Sequence, residues 1–326
     1  MLEDETATIP GAARGCSASI LVLGYNSLRH IDKCLGAIAA ATQSHSVEIL
    51  FLNNGNDASE DFVAERYPHV RILPSQGNVG FAEANNRLAR HARGKWMILL
   101  NPDTEVYPGA IDALIGTGEA NPDYWLLAGI VVDRAGQFET KAYPELPTMK
   151  ALLRGLVGKA GRPFVFDTAR AIQDVEVVHG GFLLVTRQRW EVLGGLDETF
   201  FLYGEDIDLC KRVLDIGGKI GIVPASKVFH DLGSGNASSL TRNRFIAIGN
   251  AHFLHRHHGP LHASLAIATL WLGYLARFTV GARFSPLKRK YGALSRGCAL
   301  PALKPWVWVR GFASPGADPR RDPRPD

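Results

Sequence analysis

Cysteine is scarce in this sequence. The four cysteines, Cys16, Cys34, Cys210 and Cys298, are scattered over 326 residues, and none of them forms a C-x-x-C pair. This spacing argues against a disulfide framework and against a cysteine-based zinc site. A low and unpaired cysteine content fits a reducing compartment, so we expect a cytoplasmic protein.

The first residues also lack a long apolar run. Glu3, Asp4 and Glu5 stand near the start of residues 1–18, where a secretory signal peptide would carry a basic group followed by an apolar segment. We expect residues 1–18 to form a short flexible lead. At the other end, residues 314–326 are rich in Pro, Arg and Asp, a composition typical of disorder.

The net charge of +4 is small, but it is distributed unevenly. Ten basic and three acidic residues lie beyond residue 282, so this end carries +7 and the preceding part carries about −3. A basic tail is one feature of proteins that bind nucleic acid. Such proteins also interleave aromatic side chains on a basic face, and because this tail does not, the sequence disfavours nucleic acid as a partner.

Apolar runs alternate with amphipathic segments along most of the chain. The apolar runs predict strands at residues 19–24, 47–52, 70–73, 96–100, 175–185 with an interruption at Gly180-Gly181, 220–223 and 228–230. The amphipathic segments predict helices at residues 28–41, 61–67, 80–93 and 205–216. We expect residues 136–174 to be loop-rich. Strands and helices that alternate in this way predict an α/β fold with a doubly wound, mostly parallel sheet.

Polar residues follow three of the predicted strands. They are Tyr25-Asn26, residues 53–57 and residues 101–103. Ligands of open α/β sheets bind outside the carboxyl ends of the strands. We therefore expect these three groups to converge on one crevice.

Asp103 lies where an apolar strand leaves the predicted sheet, in the sequence Asn101-Pro102-Asp103. A carboxylate in this place can hold a hard divalent ion such as Mg²⁺ or Mn²⁺, which neutralises a departing diphosphate. Asn-Pro-Asp is also ordinary turn chemistry. The residues alone leave both interpretations open.

Three carboxylates, Glu205, Asp206 and Asp208, stand within four residues at the start of a predicted helix. Acids are favoured there by the helix dipole, so capping is one interpretation. The aromatic residues at 200, 201 and 203 that precede them are more than a cap requires. A carboxylate beside a partly dry aromatic pocket can act as a general base.

Taken together and in this order, these stretches resemble the family 2 glycosyltransferases of the GT-A fold, and within them the rhamnosyltransferase-like branch. The resemblance runs through most of residues 19–258. The matching stretches are residues 19–27, 48–57, 77–86, 100–104, 180–189 and 194–212, followed by His230 and Arg242-Asn243-Arg244. The resemblance implies a GT-A catalytic domain over residues 19–258.

The resemblance also implies a donor site, an acceptor side, a metal site and a base. The donor-binding residues would be Tyr25, Asn26, Asn53, Asn54, Gly77, Asn78, Asn85, Asn101 and Asp103, and the acceptor side would include Gly180, Gly181, Tyr203 and Glu205. Asp103 and His230 would hold Mg²⁺ or Mn²⁺, although a lone histidine at a strand end is often structural. Asp206 would be the catalytic base.

Two positions depart from the pattern of the family. Asn53 stands where the family usually has Asp, and Asn101 stands at the first position of its metal-binding D-x-D motif. The Asn53 amide could still accept a hydrogen bond from the base or ribose of the nucleotide, but it carries no charge. With fewer carboxylates the metal would bind more weakly, and the donor phosphates would supply the remaining ligands. The implied reaction inverts the configuration at the anomeric carbon of the sugar. The single base Asp206 would deprotonate an acceptor hydroxyl, which attacks that carbon from the face opposite the departing nucleotide.

The branch implies transfer of L-rhamnose from dTDP-rhamnose to a glycan or a polyprenyl-diphosphate-linked saccharide in cell-envelope polysaccharide synthesis. Transfer of galactose, galactofuranose or N-acetylglucosamine stays open, and so does, with less support, a non-catalytic sugar-nucleotide-binding protein. A nucleotidyltransferase is disfavoured, because residues 24–27 read Gly-Tyr-Asn-Ser where that class carries a Gly-rich basic phosphate loop.

Residues 261–281 form an apolar segment near the length of a membrane span, within an expected helical extension over residues 259–313. His262 and Arg277 lie inside the segment, and Arg283 follows it with three further basic residues at 288–290. The segment could pack on the catalytic domain, span a membrane or lie in the membrane plane. We favour the in-plane arrangement at the inner face of the plasma membrane, because basic residues beside apolar surface are attracted to anionic lipid headgroups.

Overall fold

The computed structural model describes residues 15–138, 145–156, 167–230, 239–284 and 289–312. Strands and helices alternate over the first half of the chain, and helices dominate its end. The strands are β1 (Ala18–Gly24), β2 (Val47–Asn53), β3 (Arg71–Leu73), β4 (Trp96–Leu100), β5 (Thr104–Val106), β6 (Tyr124–Val132), β7 (Gln173–Asp174), β8 (Phe182–Thr186) and β9 (Lys219–His230). The helices are α1 (Ile31–Ala41), α2 (Ser59–Arg66), α3 (Phe81–His91), α4 (Ala110–Ala120), α5 (Met149–Leu156), α6 (Arg187–Leu193), α7 (Glu205–Asp215), α8 (Ser239–His257), α9 (Pro260–Phe284) and α10 (Arg289–Leu303).

The strands of the described residues form one nine-stranded sheet in the order β3-β2-β1-β4-β8-β6-β9-β5, with β7 paired to β9. β1 pairs in parallel with β2 and β4, and β2 pairs in parallel with β3. All seven residues of β1 are buried, as expected for a central strand covered by helices on both faces. The predicted α/β architecture is confirmed, and these four strands are its parallel half.

The other half of the sheet is mixed. β8 is antiparallel to β4 and β6, β6 is parallel to β9, and β5 and β7 are antiparallel to β9. The predicted parallel arrangement therefore describes the first four strands and the β6–β9 pair, while the other pairings of this half are antiparallel. The sequence predicts two short strands where β9 is a single strand of 12 residues. Its pairing with β6 shifts register between Gly129 and Ile130, and such a bulge offsets a strand without ending it.

The loop-rich segment expected at residues 136–174 contains a helix, α5, that the sequence pattern does not predict. α5 packs on α9, and the Arg277 guanidinium of α9 donates a hydrogen bond to the Gly155 carbonyl oxygen at 3.2 Å. Residues 139–144 and 157–166 of the expected loop lie outside the described residues. β8 begins directly after the glycine pair, so the predicted strand at 175–185 is realised only in its second part.

The C-terminal helices share the apolar core with the sheet. Tyr274 of α9 and Trp308, which follows α10, are buried in the same cluster as Leu99 of β4 and Leu209 of α7. The predicted division between residues 258 and 259 falls in the turn between α8 and α9, and it stays a prediction. The predictions for the two ends of the chain fall largely on residues 1–14 and 313–326, which lie outside the described residues.

Candidate active site

A cavity of about 780 Å³ opens where β6, β8 and β9 meet the N-terminus of α7. Its polar lining includes Asn101, Asp103, His179, Tyr203, Glu205, Asp206, His230 and Arg242. The fold therefore places the predicted base, both predicted metal ligands and the predicted acceptor residues around one space. The three polar groups that follow β1, β2 and β4 were expected to meet in one crevice, but of these only the third lines the cavity.

Asp103 and His230 form a pair at the end of the sheet. The antiparallel pairing of β5 with β9 sets Thr104 opposite His230, which brings residues distant in sequence into contact. The Asp103 Oδ1 atom lies 3.1 Å from the His230 Nε2 atom, and both side chains are about one fifth exposed, at 22% and 20%. Among the described residues no group of three or more His, Cys, Asp or Glu side chains forms a metal cluster. One carboxylate and one imidazole fit a divalent ion that takes its other ligands from phosphate oxygens.

Asp206 is the second residue of α7, and two donors hold its carboxylate in the cavity wall. Its Oδ1 atom accepts a hydrogen bond from the Ile207 backbone N–H at 2.8 Å. Its Oδ2 atom lies 2.9 Å from the Nδ1 atom of His179. An ionised carboxylate only accepts hydrogen bonds, so Nδ1 of His179 is the protonated ring nitrogen. The two contacts fix the direction of a carboxylate that remains 15% exposed to the cavity.

His179 is a site residue that the sequence pattern does not single out. It stands directly before Gly180 and Gly181, and it lines the cavity. The signal that could have found it is a histidine beside a glycine pair at the start of a buried strand, because that glycine pair lets other groups approach closely.

Glu205 differs sharply from its neighbour Asp206. Its side chain is buried, and its Oε2 atom has no hydrogen-bond partner among the described residues. Burial raises the pKa of Glu205 well above its usual value, and the negative charge of Asp206 raises it further. Adjacent carboxyl groups whose environments separate their pKa values take different roles. Burial therefore favours the neutral form of Glu205, and Asp206 is the carboxylate of the pair that is exposed to the cavity and accessible to an acceptor hydroxyl.

The turn before α7 is held in an uncommon backbone conformation. Tyr203 has a φ of 65° and Gly204 a φ of 103°, and a non-glycine residue in the left-handed region carries strain that the surroundings must hold. Gly249 of α8 packs on this turn so closely that an added Cβ atom would overlap the Tyr203 carbonyl oxygen. Burial raises the pKa of the Tyr203 phenol, while the charge of Arg242 opposes this. Tyr203 therefore offers a neutral hydroxyl near Asp206.

The glycine pair before β8 lets two cavity walls meet. The backbone N–H of Asn101 donates to the Gly181 carbonyl oxygen at 2.9 Å. A Cβ atom on Gly181 would lie 3.1 Å from the Asn101 Nδ2 atom, and one on Gly180 would lie 3.2 Å from the Phe81 ring. Because neither glycine has a side chain, Asn101 and Phe81 can pack closely against this part of the cavity wall.

Asn53 ends β2 and is buried, outside the cavity lining. Its Nδ2 atom donates to the Asp57 carbonyl oxygen at 3.0 Å and to Asp57 Oδ1 at 3.3 Å. Its Oδ1 atom accepts from the Gly55 backbone N–H at 2.9 Å. An aspartate at this position would place a second carboxylate against Asp57, so the amide suits the turn that this chain forms.

Asn54 joins the end of β2 to the loop before α3. Its Nδ2 atom donates to the Asn78 Oδ1 atom at 3.1 Å and to the Gly80 carbonyl oxygen at 3.2 Å. Its Oδ1 atom accepts from the Val79 backbone N–H at 3.0 Å. Both polar ends of Asn54 are therefore used within the protein, which favours a positioning role for it in a donor site.

The remaining predicted donor residues also lie outside the cavity lining. Tyr25 is 48% exposed after β1, Asn26 has a φ of 50°, and Gly77 has a φ of 75°. Asn85 is buried in α3, and its Nδ2 atom donates to the Phe81 carbonyl oxygen at 2.9 Å. This placement gives Asn85 a packing role, and a direct donor contact would need α3 to move.

Two family profiles match the chain. The profile described as Glycosyl transferase family 2 matches residues 19–176, and the one described as N-terminal domain of galactosyltransferase matches residues 164–232. An N-acetylglucosaminyl-diphospho-decaprenol L-rhamnosyltransferase of Mycobacterium tuberculosis is 30% identical over 234 residues, which cover 65% of this chain and 75% of that protein. The rhamnosyltransferase WbbL of Escherichia coli is 21% identical over 219 residues, which cover 65% of this chain and 82% of that protein.

The fold has a counterpart of similar extent among solved structures. The mannosyltransferase PcManGT from Pyrobaculum calidifontis, in complex with GDP-Man and Mn2+, superposes with a TM-score of 0.55 over 90% of this chain and 88% of that one, at 17% identity. This likeness supports the GT-A arrangement of the sheet. The chain therefore belongs to the family 2 glycosyltransferases, in the rhamnosyltransferase-like branch, and is a sugar-nucleotide-dependent glycosyltransferase.

Proposed function

We propose that this enzyme transfers L-rhamnose from dTDP-rhamnose, with inversion, to a hydroxyl of a polyprenyl-diphosphate-linked saccharide in cell-envelope polysaccharide synthesis. The proposal is supported by the named activity of the mycobacterial relative. The observation that carries it is one accessible carboxylate, Asp206, facing the same cavity as the Asp103–His230 pair, while Glu205 is buried and its pKa is raised by that burial.

The residues support a single displacement. Asp206 accepts the proton of the acceptor hydroxyl as that oxygen forms a bond to the anomeric carbon and the bond to the nucleotide diphosphate breaks. His179 orients the receiving carboxylate through the 2.9 Å contact. A divalent ion on Asp103 and His230 would neutralise the charge of the departing diphosphate. A double displacement would need a second ionised carboxylate, and the adjacent Glu205 is not suited to that role.

Two variants of adjacent acids test the base. Asp206→Asn keeps the size of the side chain but cannot accept the proton, so we expect kcat to fall by about 10²- to 10⁴-fold with little change in donor binding. Glu205→Gln mimics the neutral acid, so it should keep transfer within a few-fold of the wild-type rate. Transfer is measured by mass spectrometry with dTDP-rhamnose and with galactose, galactofuranose and N-acetylglucosamine donors. Near-normal turnover of Asp206→Asn, with loss in Glu205→Gln, would reverse the two roles.

The metal requirement is tested by chelation and by substitution. Excess EDTA should abolish transfer, and added Mg²⁺ or Mn²⁺ should restore it. Asp103→Ala should stay inactive at every metal concentration, because it removes the one carboxylate of the pair. Metal binding to the protein with the nucleotide, followed by calorimetry, gives a second readout. Full activity in EDTA would refute the metal assignment.

The donor and acceptor must meet at a membrane if the acceptor carries a polyprenyl chain, and α9 offers the surface for this. In the described part of the chain, α9 is the one helix long and apolar enough to cross a membrane by length and composition. One face of it carries exposed leucines, Leu261 at 71%, Leu265 at 52% and Leu272 at 45%. Its opposite side packs into the core through Ile267 and Tyr274. A helix held in the core on one side and apolar on the other is suited to lie in the membrane surface rather than to span it.

Membrane attachment is tested by substitution, because ending the chain near Gly259 would remove core residues such as Tyr274 and Trp308. The triple change of Leu261, Leu265 and Leu272 to Gln should shift the protein from the membrane pellet to the soluble fraction. The matched control replaces Val192 and Ile216, exposed by 66% and 54% on the catalytic body, with Gln. Equal pelleting of the two variants would refute the in-plane arrangement.

A further inference from the structure

The cavity continues past the reaction centre to a second wall formed by α5 and α9. This wall is mainly apolar and includes Leu152 and Leu156 of α5 and Leu270 of α9. The volume of about 780 Å³ lies in the upper half of the roughly 300–1,000 Å³ that small-molecule sites occupy. The cavity therefore has room for a group attached to the acceptor sugar as well as for the sugar.

One cation, Arg277, lies in this second wall. Its Nη2 atom donates to the Gly155 carbonyl oxygen at 3.2 Å. Its Nη1 atom lies 3.0 Å from the position a Cβ atom would take on Gly273, so the absence of a side chain at 273 leaves room for the guanidinium. Arg277 forms no ion pair with an acid of the described residues, and Glu145, the acid of this wall, is paired with Arg154. A guanidinium has five N–H donors, so most of those on Arg277 remain available to a ligand.

We propose that Arg277 binds the diphosphate of a lipid-linked acceptor, and that the first prenyl units of that acceptor run along the apolar wall of α5. This inference rests on the proposed function and deepens it by naming the residue that recognises the acceptor's anionic group. A partly buried cation without a counter-ion is costly in free energy, and a diphosphate removes that cost when it binds. The planar fork of an arginine also matches phosphate oxygens in pairs.

Arg242 and Arg277 line the cavity from different elements. The charge of Arg242 acts on the Tyr203 phenol together with the charges of Asp103 and Asp206, so Arg242 lies near the predicted base and metal ligands. Arg277 instead contacts the Gly155 carbonyl oxygen of α5. We therefore assign Arg277 to the acceptor and not to the donor phosphates.

The orientation of α9 connects this site with the membrane surface. At about 3.6 residues per turn, Leu261, Leu265 and Leu272 share one face of α9, and Gly273 and Arg277 lie roughly 100–140° around the helix from it. Val280 and Phe284, which are 45% and 39% exposed, lie on the same side of the helix as Gly273 and Arg277. A prenyl chain that leaves the diphosphate site can therefore follow this side of α9 to exposed apolar residues near the end of the helix.

A binding experiment tests the site without relying on transfer. Farnesyl diphosphate, farnesol and inorganic diphosphate are titrated into the full-length protein in excess EDTA, which prevents a metal from holding the phosphate. We expect Arg277→Gln to weaken the affinity for farnesyl diphosphate by about 10- to 100-fold and to leave the affinity for farnesol unchanged. Arg277→Lys should lose only part of the affinity for farnesyl diphosphate, because lysine keeps the positive charge but not the planar guanidinium that donates paired hydrogen bonds. Arg283→Gln, an exposed cation on the same helix, should match the wild type.

A kinetic arm separates this inference from the proposed function. With a diphosphate-linked acceptor, Arg277→Gln should raise KM about 10-fold or more, while hydrolysis of the donor and transfer to an alkyl glycoside of the same sugar stay near the wild-type rates. Loss of activity in Asp206→Asn tests the base and is independent of these outcomes. The inference is overturned if Arg277→Gln binds farnesyl diphosphate as well as the wild type does, or if farnesol binding falls equally. Binding of inorganic diphosphate as tight as that of farnesyl diphosphate would overturn the prenyl part.

Discussion

Replacing Asp208 with Asn is expected to weaken the attachment of α7, the helix that carries the proposed base, Asp206. The Asp208 side chain is fully buried. It accepts hydrogen bonds from Arg212 Nε at 2.8 Å, Arg256 Nε at 3.1 Å and His257 Nε2 at 2.7 Å. Arg256 and His257 belong to α8, so this one carboxylate joins α7 to α8. An asparagine would keep one acceptor oxygen and turn an N–H₂ group toward these donors.

The size of the effect follows from how many partners remain. Removing one member of a buried ion pair costs about 3–5 kcal/mol. Here Arg256 is 43% exposed and also pairs with Asp197 at 2.9 Å, and Arg212 also donates to the Leu193 and Gly195 carbonyl oxygens. These remaining contacts reduce the loss, so we expect Asp208→Asn to lower the free energy of unfolding by about 2–3 kcal/mol at neutral pH.

The effect should depend on pH with a definite sign. Burial raises the pKa of Asp208, but the hydrogen bond from His257 and the charges of Arg212 and Arg256 outweigh it, so the pKa lies below its usual value. A depressed folded pKa means that the stabilisation is complete above the unfolded value, about 3.9, and is lost as the pH falls through the folded value. The difference between wild type and Asp208→Asn should therefore be constant from neutral pH to about pH 5 and shrink below about pH 4.

Urea unfolding followed by circular dichroism measures this difference at each pH. Asp215→Asn is the matched control, because Asp215 lies on the same helix and pairs with Lys211 at the surface. An exposed i,i+4 pair contributes about 0.5 kcal/mol or less, so the control should unfold almost as the wild type does. Equal stability of the two variants at pH 7 would refute the role given to Asp208, and a difference that grows toward low pH would refute the sign.

Three further predictions concern the turn and the two carboxyl groups. Gly249→Ala should displace the Tyr203 turn and lower kcat more than 10-fold, roughly the effect of misplacing a catalytic group. Urea unfolding like that of the wild type would show that the variant still folds. His179→Ala should lower kcat by about 5- to 30-fold with little change in KM, His179→Asn should recover part of it, and an unchanged kcat would exclude an orienting role. Because burial raises the pKa of Glu205, wild-type stability should decline as the pH rises above about 4.3; Glu205→Gln should lack this decline in urea unfolding, and parallel pH profiles would contradict the assignment.

The parallel half of the fold could be predicted closely because its strands are buried on both faces. β1, β2 and β4 are mainly apolar runs that end at or directly before Gly or Asn, and their predicted bounds agree with the structure within one residue. β9 could not be predicted as one strand, because residues 224–226 interrupt its apolar pattern at a bulge. The bulge is held by pairing with β6, a long-range interaction that leaves little trace in the local sequence.

The helix α5 shows a different limit. Its eight residues are too few for a helix that is stable by itself, although Thr148 caps it: the Thr148 Oγ1 atom accepts a hydrogen bond from the Ala151 backbone N–H at 3.3 Å. Its contacts with α9 involve partners more than a hundred residues away, among them the hydrogen bond from Arg277 to Gly155. The wall that α5 and α9 form could therefore not be predicted, although the predicted acceptor residues Gly180, Gly181, Tyr203 and Glu205 do line the cavity.

The candidate base and metal residues could be predicted from motif order, but their environments could not. The sequence places Glu205, Asp206 and Asp208 within four residues, and nothing in that spacing tells which one is accessible. Helical geometry decides it. Asp208 points toward the cations of α8, Glu205 is buried, and Asp206 faces the cavity with His179. His179 lies just before β8. It contacts Asp206 because the chain, after β8 and α6, brings the start of α7 back beside it.

The distribution of charge around the cavity is consistent with a site for a diphosphate. Five acids, Asp103, Glu145, Glu205, Asp206 and Asp208, lie in or next to a space that we propose admits an anionic donor, and five negative charges would repel it. The fold offsets three of them in different ways. Asp208 is compensated by cations from α7 and α8, Glu145 is paired with Arg154, and burial raises the pKa of Glu205, which favours its neutral form. The two acids that remain, Asp103 and Asp206, are those that we propose the reaction uses, one beside the leaving phosphate and one beside the attacking hydroxyl. The three clustered acids of α7 therefore differ in their surroundings: Asp208 joins α7 to α8, Glu205 is a buried group of the cavity wall, and Asp206 is the proposed base.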